Sequence, residues 1–302
     1  MRRRTQAIKN TTTLWIAFFL LLALAAFLLW QELRPADASQ QGSNAATGIT
    51  VTMINVGQGD SILIYSKNHA ILMDAGEYSA ADEVIAAIRQ AGIKKLDAVI
   101  LTHPHADHYG GIRSVLGAFP TAEFITCALP EEQIPTTTAY EKLLNRLAAE
   151  KIPGRYAAVG MSWELDGATL TVLGPAEGKT YENLNNLSVI TRLDYGKSSF
   201  LFTGDAEELA ENDLLTSDAK LDADVLKVGH HGSGTSSSER FLQTVSPKTA
   251  LISVGEGNDY GLPNEFALRR LKASGATLYR TDIQGNITLQ SDGETVTVKT
   301  EK

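Results

Sequence analysis

From residue 49 onward, apolar and polar positions alternate in short, regular runs. Residues 49–56, 61–65 and 70–73 are β-branched or apolar stretches separated by Gly-Gln-Gly-Asp and Lys-Asn-His, which predicts three consecutive strands with tight connections. Val84, Ile85 and Ile88 recur at helical spacing, so 80–91 reads as a helix closed by Gly92. The apolar run at 97–101 predicts a buried strand. Further on, the pattern predicts helices over 140–149, 207–215, 238–245 and 265–273. Strands are expected over 169–173, 187–193, 198–202, 225–228, 249–254, 277–280, 286–290 and 295–299. Strand-rich blocks interrupted by helices in both halves predict an α/β fold of two packed sheets with helices outside.

The first 48 residues follow another rule. Residues 11–31 form a 21-residue run without a charge, rich in Leu, Ala and Phe. At about 1.5 Å per residue, a helix of that length spans roughly one 30 Å hydrocarbon core. Arg2, Arg3, Arg4 and Lys9 in the basic segment 1–10 predict a cytoplasmic N-terminus, with everything after the run outside the cell. Ala36-Asp37-Ala38 has the small-x-small form of a signal-peptidase site, so secretion after cleavage is the alternative to an uncleaved single-pass anchor in the cell membrane. The length of the run, and Glu32, Arg34 and Pro35 beyond it, favour the anchor. The polar, small-residue stretch within 32–48 reads as a linker, which leaves 49–302 as the folded domain.

Composition then narrows the chemistry. With 43% hydrophobic and 21% charged residues among 302, the chain is neither disordered nor fibrous. Cys127 is the only cysteine, which excludes an intrachain disulfide and Cys-rich zinc modules. A bound metal must therefore rest on histidines and carboxylates. Net charge is −8, and removing residues 1–38 leaves 22 Lys and Arg against 33 Asp and Glu, a net −11. Such a balance opposes a broad electrostatic grip on a nucleic-acid backbone, although not a local basic groove.

Five of the six histidines fall in two clusters. In Thr102-His103-Pro104-His105-Ala106-Asp107-His108, just after the strand at 97–101, residues two apart on extended backbone point to one side. His103 and His105 are thus candidates to share one ion. Asp107 and His108 follow where the chain turns, suited to a second ion beside the first, and Gly110-Gly111 lets a helix start close behind. The second cluster, Gly229-His230-His231-Gly232-Ser233, also ends a buried-type strand. Between them Asp205, in Phe202-Thr203-Gly204-Asp205-Ala206, alone would read as a helix cap but beside these histidines reads as a bridging carboxylate. Asp74, in Met73-Asp74-Ala75-Gly76, is placed to orient a ligand histidine from behind. The turn Gly57-Gln58-Gly59-Asp60 joins two strands and lacks the helix and lysine of a P-loop, so it reads as a tight turn near the site.

These motifs resemble the metallo-β-lactamase superfamily. His103-Pro104-His105-Ala106-Asp107-His108 is similar to its His-x-His-x-Asp-His signature, with Asp74, Asp205 and His230/His231 in that family's order. Asn55-Val56-Gly57-Gln58-Gly59-Asp60-Ser61, Phe202-Thr203-Gly204-Asp205-Ala206 and His230-His231-Gly232-Ser233 resemble more narrowly the extracytoplasmic domain of ComEC-type competence DNA-uptake proteins. The resemblance covers about residues 49–299. It implies a metallo-β-lactamase-like αββα four-layer sandwich with a two-ion hydrolase site holding Zn or Mn. His103, His105 and Asp205 would serve the first ion. Asp107, His108, Asp205 and one of His230/His231 would serve the second. His230 is taken as the ligand and His231 as the proton donor beside catalytic Asp107, although the sequence does not decide between the two histidines, and Asp60, Asp74, Asn186 and Ser188 are taken as supporting residues.

Two departures qualify the resemblance. No histidine occurs from 109 to 229, where most two-ion members supply another, so the first site is expected to be weak or empty; Asn185-Asn186-Leu187-Ser188 fills that place as in the ComEC type. Leu262 stands where the subfamily pattern has histidine in Tyr260-Gly261-Leu262-Pro263, and it can neither ligate nor transfer a proton. The expected activity is metal-dependent phosphoester hydrolysis, with a water or hydroxide between the ions attacking phosphorus. DNA is one candidate substrate, and the membrane, through the N-terminal helix, is the expected partner surface. Hydrolysis of a cell-wall phosphoester, an ester or a lactam, and a non-catalytic binding module, are the alternatives. The sequence does not give the oligomeric state.

Overall fold

The structure, a computed structural model, describes residues 48–302. The expected membrane segment at 11–31, and all of the linker except Gly48, lie outside the described residues. Among the described residues no helix is long and apolar enough to cross a membrane.

Two mixed sheets pack face to face. The first holds eight strands: β1 (Ile49–Met53), β2 (Ile62–Tyr65), β3 (Ala70–Met73), β4 (Ala98–Leu101), β5 (Phe124–Thr126), β6 (Gly154–Tyr156), β14 (Ile287–Ser291) and β15 (Val296–Thr300). Their order is β15-β14-β1-β2-β3-β4-β5-β6. The second holds β7 (Ser162–Leu165), β8 (Ala168–Gly174), β9 (Ile190–Tyr195), β10 (Ser198–Phe202), β11 (Val225–Lys227), β12 (Thr249–Ile252) and β13 (Thr277–Arg280), in the order β13-β12-β11-β10-β9-β8-β7.

Side-chain alternation explains the layering. In β3, Ile71 and Met73 enter the core between the sheets, while Ala70 and Leu72 face a second cluster with Val84, Ile88, Ile112 and Leu143 of the helices that cover the first sheet. On the second sheet, Phe200, Phe202 and Val225 point inward, whereas Leu201 and Leu226 meet Phe241, Leu242 and Leu271 of its covering helices. Strands buried on both faces read as unbroken apolar runs, which is why 70–73 and 97–101 carried no polar alternation.

Sequence pattern missed β5, β6 and β7. The first and second are only three residues long, and Gly154–Tyr156 is wholly exposed, so neither offers a periodic signal. The strand expected over 187–193 begins instead at Ile190, because Leu184–Leu187 coils into a 3-10 turn that Asn183 caps through the Asn185 N–H.

Parallel pairing runs through β3-β4-β5 in one sheet and β10-β11-β12-β13 in the other. Parallel strands place their C-terminal ends together. Asp74, Thr102, Thr203, Val228 and Ser253 each follow closely on such an end, so loops from both sheets open onto one edge of the sandwich.

Candidate metal centre

The His103 loop leaves β4 extended and then coils into the short helix α1 (Ala106–Tyr109). His103 Nε2 and His105 Nδ1 lie 2.9 Å apart, so the two rings converge. His103 is fully buried, and its Nδ1 lies 3.3 Å from Ser188 Oγ, which also accepts the Asp205 N–H at 3.0 Å. Ser188 therefore ties the first histidine to the carboxylate loop.

Asp74 is held with φ of 57°, a left-handed conformation unusual outside glycine. Its carboxylate accepts the Thr102 N–H at 2.8 Å, the Thr102 hydroxyl at 2.6 Å and His108 Nδ1–H at 2.8 Å. This fixes the His108 ring with Nε2 facing the site. Thr102 carried no recognisable signal in the sequence.

His230 and His231 both adopt left-handed backbone, with φ of 48° and 53°. Each such residue costs about 1–3 kcal/mol, a strain that clusters at functional sites. The two rings consequently part. His231 is buried; its Nδ1–H donates to the Ser253 carbonyl at 3.0 Å, which aims Nε2 at Asp107 Oδ2 and Asp205 Oδ2, each 3.4 Å away. His230 is 27% exposed, with Nδ1 3.3 Å from Glu207 Oε1 and Nε2 3.9 Å from Asp205 Oδ2. The geometry thus places the buried His231 ring, rather than the partly exposed His230 ring expected there, nearer the carboxylates Asp107 and Asp205.

Around Asp205 Oδ2 stand His108 Nε2 at 3.3 Å, His231 Nε2 at 3.4 Å and His103 Nε2 at 3.8 Å. His108 Nε2 is 3.9 Å from Asp107 Oδ2. Donor atoms about 2.0 Å from a tetrahedral ion lie about 3.3 Å from one another, so these separations suit a shared cation. His108 Nε2, His231 Nε2 and Asp205 Oδ1 are buried without any hydrogen-bond partner. Buried polar atoms are ordinarily satisfied, so the set fits a divalent ion, with His103, His108 and Asp205 or Asp107, His108 and His231 as closest groupings. His105 enters no such grouping among the described residues, despite its approach to His103.

Protonation follows the same division. Burial, reinforced by the nearby positive charge of His108, holds His103 well below its ordinary value and leaves it neutral, as a ligand must be. Burial opposes protonation of His108 and His231 most strongly, but Asp205 together with Asp74 beside His108, and with Asp107 and Asp60 beside His231, outweighs it and raises both well above 6.5. Asp205 itself, despite burial, is drawn well below the usual carboxylate range by His231 and His108.

The other expected residues sit one step further out. Asp60 is buried, with Oδ1 3.5 Å from His231 Nδ1. The turn before it touches the first cluster directly: Asp60 N–H donates to the Asp107 carbonyl at 3.2 Å, and a side chain at Gly59 (φ 119°) would collide with that carbonyl. Asn186 does not reach the histidines. Its Oδ1 accepts the Glu207 and Ala210 N–H groups at 3.1 and 3.2 Å and caps the helix that follows Asp205, while Asn185 lies 3.3 Å from His230. Leu262 packs against the outer core of the second sheet. Lys227, Glu207 and Ser253 were not singled out from sequence; of these, only Lys227, a charge inside an apolar strand, left a trace there.

Two packed sheets whose neighbouring loops gather this histidine and carboxylate set define a class of metal-binding fold, and residues 54–256 match the metallo-beta-lactamase superfamily. The chain belongs to that superfamily. It is similar to the Competence protein ComA of Neisseria gonorrhoeae, 34% identical over 237 residues covering 78% of this chain and 31% of that protein. It is also similar to the ComE operon protein 3 of Bacillus subtilis, 31% identical over 255 residues, 78% of this chain and 32% of that protein. The chain thus spans about a third of the length of these relatives. CmlA, a diiron beta-hydroxylase from Streptomyces venezuelae, shares the fold at a TM-score of 0.51 and 12% identity, over 81% of this chain and 54% of that one.

Proposed function

We propose that this chain is a metal-dependent hydrolase of phosphoester bonds, with a phosphodiester as substrate. The observation that carries the reading is the convergence of His108, His231 and Asp107 or Asp205 at ion-sized separations, with the Nε2 atoms of both histidines buried and without a hydrogen-bond partner. His108, His231, Asp107 and Asp205 would hold the principal ion; His103 and His105, with Asp205, would hold a weaker second one. Zn²⁺ and Mn²⁺ both suit such a nitrogen and oxygen set. Bound there, a divalent ion supplies Lewis acidity, making water a better nucleophile and drawing charge from phosphoryl oxygens.

The chain's own residues do the rest. Asp74 and the Ser253 carbonyl fix the ring orientations of His108 and His231. Asp205 lies among the three inner histidines, a position from which it can serve both ions. His230, half-exposed at the mouth and leaning on Glu207, carries a proton to the departing oxygen, the role sequence reading gave to His231.

The names of the competence relatives favour DNA as the diester and a link to DNA uptake, and the −11 charge of the region beyond residue 38 favours a small or locally gripped substrate. We further place the domain outside the cell on an anchor at 11–31. Cleavage of bis(4-nitrophenyl) phosphate and of single-stranded DNA by the purified 302-residue chain, with Mn²⁺ or Zn²⁺ added, tests the activity. Binding of less than one equivalent of metal with no cleavage would overturn it in favour of a binding module. Fractionation of cells, with N-terminal sequencing of the chain, tests the anchor against a cleaved signal.

A further inference from the structure

Lys227 ends β11, and its neighbour two residues back, Val225, faces the core between the sheets. Strand alternation sends the lysine side chain the same way, into the interior, where it is 0% exposed. An ammonium taken wholly out of water is costly unless it is paired and hydrogen-bonded. Lys227 Nζ donates to the Gly204 carbonyl at 3.0 Å, stands 2.5 Å from Asp60 Oδ2 and lies 3.9 Å from Asp205 Oδ1. Asp60 comes from the β1–β2 connection of the opposite sheet, so the pair crosses the sandwich directly behind the metal centre.

A buried ion pair is weak evidence for stability, since well-packed apolar residues commonly serve as well. The geometry offers another reason for this one. Gly204 precedes the bridging carboxylate and takes φ of 51°, so the bond from Lys227 fastens the turn that delivers Asp205. Asp205 turns Oδ1 toward the ammonium and Oδ2 toward His103, His108 and His231. The far oxygen of Asp60, Oδ1, stands 3.5 Å from His231 Nδ1. One cation thereby braces Asp205 through the Gly204 turn and His231 through Asp60 of the opposite sheet.

We propose that Lys227 is a positioning residue of the metal centre, an internal cation that, through Asp60 and the Gly204 carbonyl, holds Asp205 and His231 in the arrangement an ion requires. This role rests on the metal reading above. Outer partners of metal ligands commonly alter affinity by about 10–100-fold when removed.

The test compares the 302-residue chain with Lys227→Met and with the double variant Lys227→Met/Asp60→Asn, which removes both members of the pair. Zn²⁺ affinity is read by chelator competition, site geometry by the visible absorption of the Co²⁺ form, and folding by thermal unfolding. Lys227→Met is expected to lose affinity by at least about tenfold. The double variant is expected to regain the wild-type unfolding temperature in metal-free buffer, yet to keep the affinity loss and an altered Co²⁺ spectrum. A double variant that binds Zn²⁺ as tightly as wild type with an unchanged spectrum overturns the proposal, as does failure of both variants to fold, which would make the pair a folding element. Wild-type chain that takes up neither Zn²⁺ nor Mn²⁺ instead overturns the metal reading on which the role depends.

Discussion

His230 and His231 are adjacent, identical in chemistry and both left-handed, yet one ring is buried against three carboxylates while the other looks outward. Substituting each should separate their roles. His231→Ala is expected to lower metal affinity by about tenfold or more. His230→Ala should leave affinity within about threefold while cutting kcat by roughly 10²-fold or more. Isothermal titration and steady-state kinetics on the same preparations read both outcomes, and the opposite pattern restores the assignment read from sequence. Asp205→Ala should abolish both metal binding and activity, and retained activity would refute its bridging place. The protons on His108 and His231 set a pH dependence. Their folded-state values lie above 6.5, so the stability they give the metal-free chain is complete below the ordinary histidine range and is lost as pH rises through the raised values. A metal ion must displace these protons, so its apparent affinity should climb with pH across neutrality, with proton release visible as buffer-dependent heats. At this scale the residue types were legible because few side chains bind metals. Which ring faced inward was not, because a two-residue left-handed turn leaves no periodic trace.

The elements position these residues through close approaches that only particular side chains permit. The turn ending at Asp60 lies against α1, with Gly59 touching the Asp107 carbonyl. Gly59→Ala places a Cβ at a φ of 119° into that oxygen, so it should destabilise the fold by more than about 1 kcal/mol and weaken metal binding together. Urea unfolding and metal titration would show the paired loss. Leu72→Ala, in the cluster between the first sheet and its helices, should cost about 2–5 kcal/mol with metal affinity unchanged in the folded fraction. The long strands and helices were readable because burial on one or two faces imposes a period. β5, β6 and β7 were not: β5 and β6 have three residues each, and in β7 only Leu165 is fully buried, so no period marks them.

For the molecule as a whole, the groups proposed to hold an ion come from both sheets: His103, Asp107 and His108 follow β4, while Asp205 and His231 follow β10 and β11. A bound ion should therefore tie the two halves of the sandwich together. Free metal at about 100 times its dissociation constant is expected to add about 2.7 kcal/mol of stability, reversed by a chelator and visible by scanning calorimetry. No shift in unfolding temperature would refute such a tie. The amino-acid sequence by itself determined the class: apolar periodicity points to two sheets with outer helices, a single cysteine directs any metal to histidines and carboxylates, and the two-residue spacing of His103 and His105 turns both rings to one side. Tertiary structure alone decided that His231 rather than His230 joins that convergence, that Asn186 caps a helix instead of lining the site, and that Lys227 meets Asp60 across the sandwich. The reason is physical. Periodicity and residue chemistry are local properties, whereas the direction of a side chain at a strained turn, and the partner of a buried charge, depend on groups far apart in sequence, as Asp60 is from both Lys227 and His231.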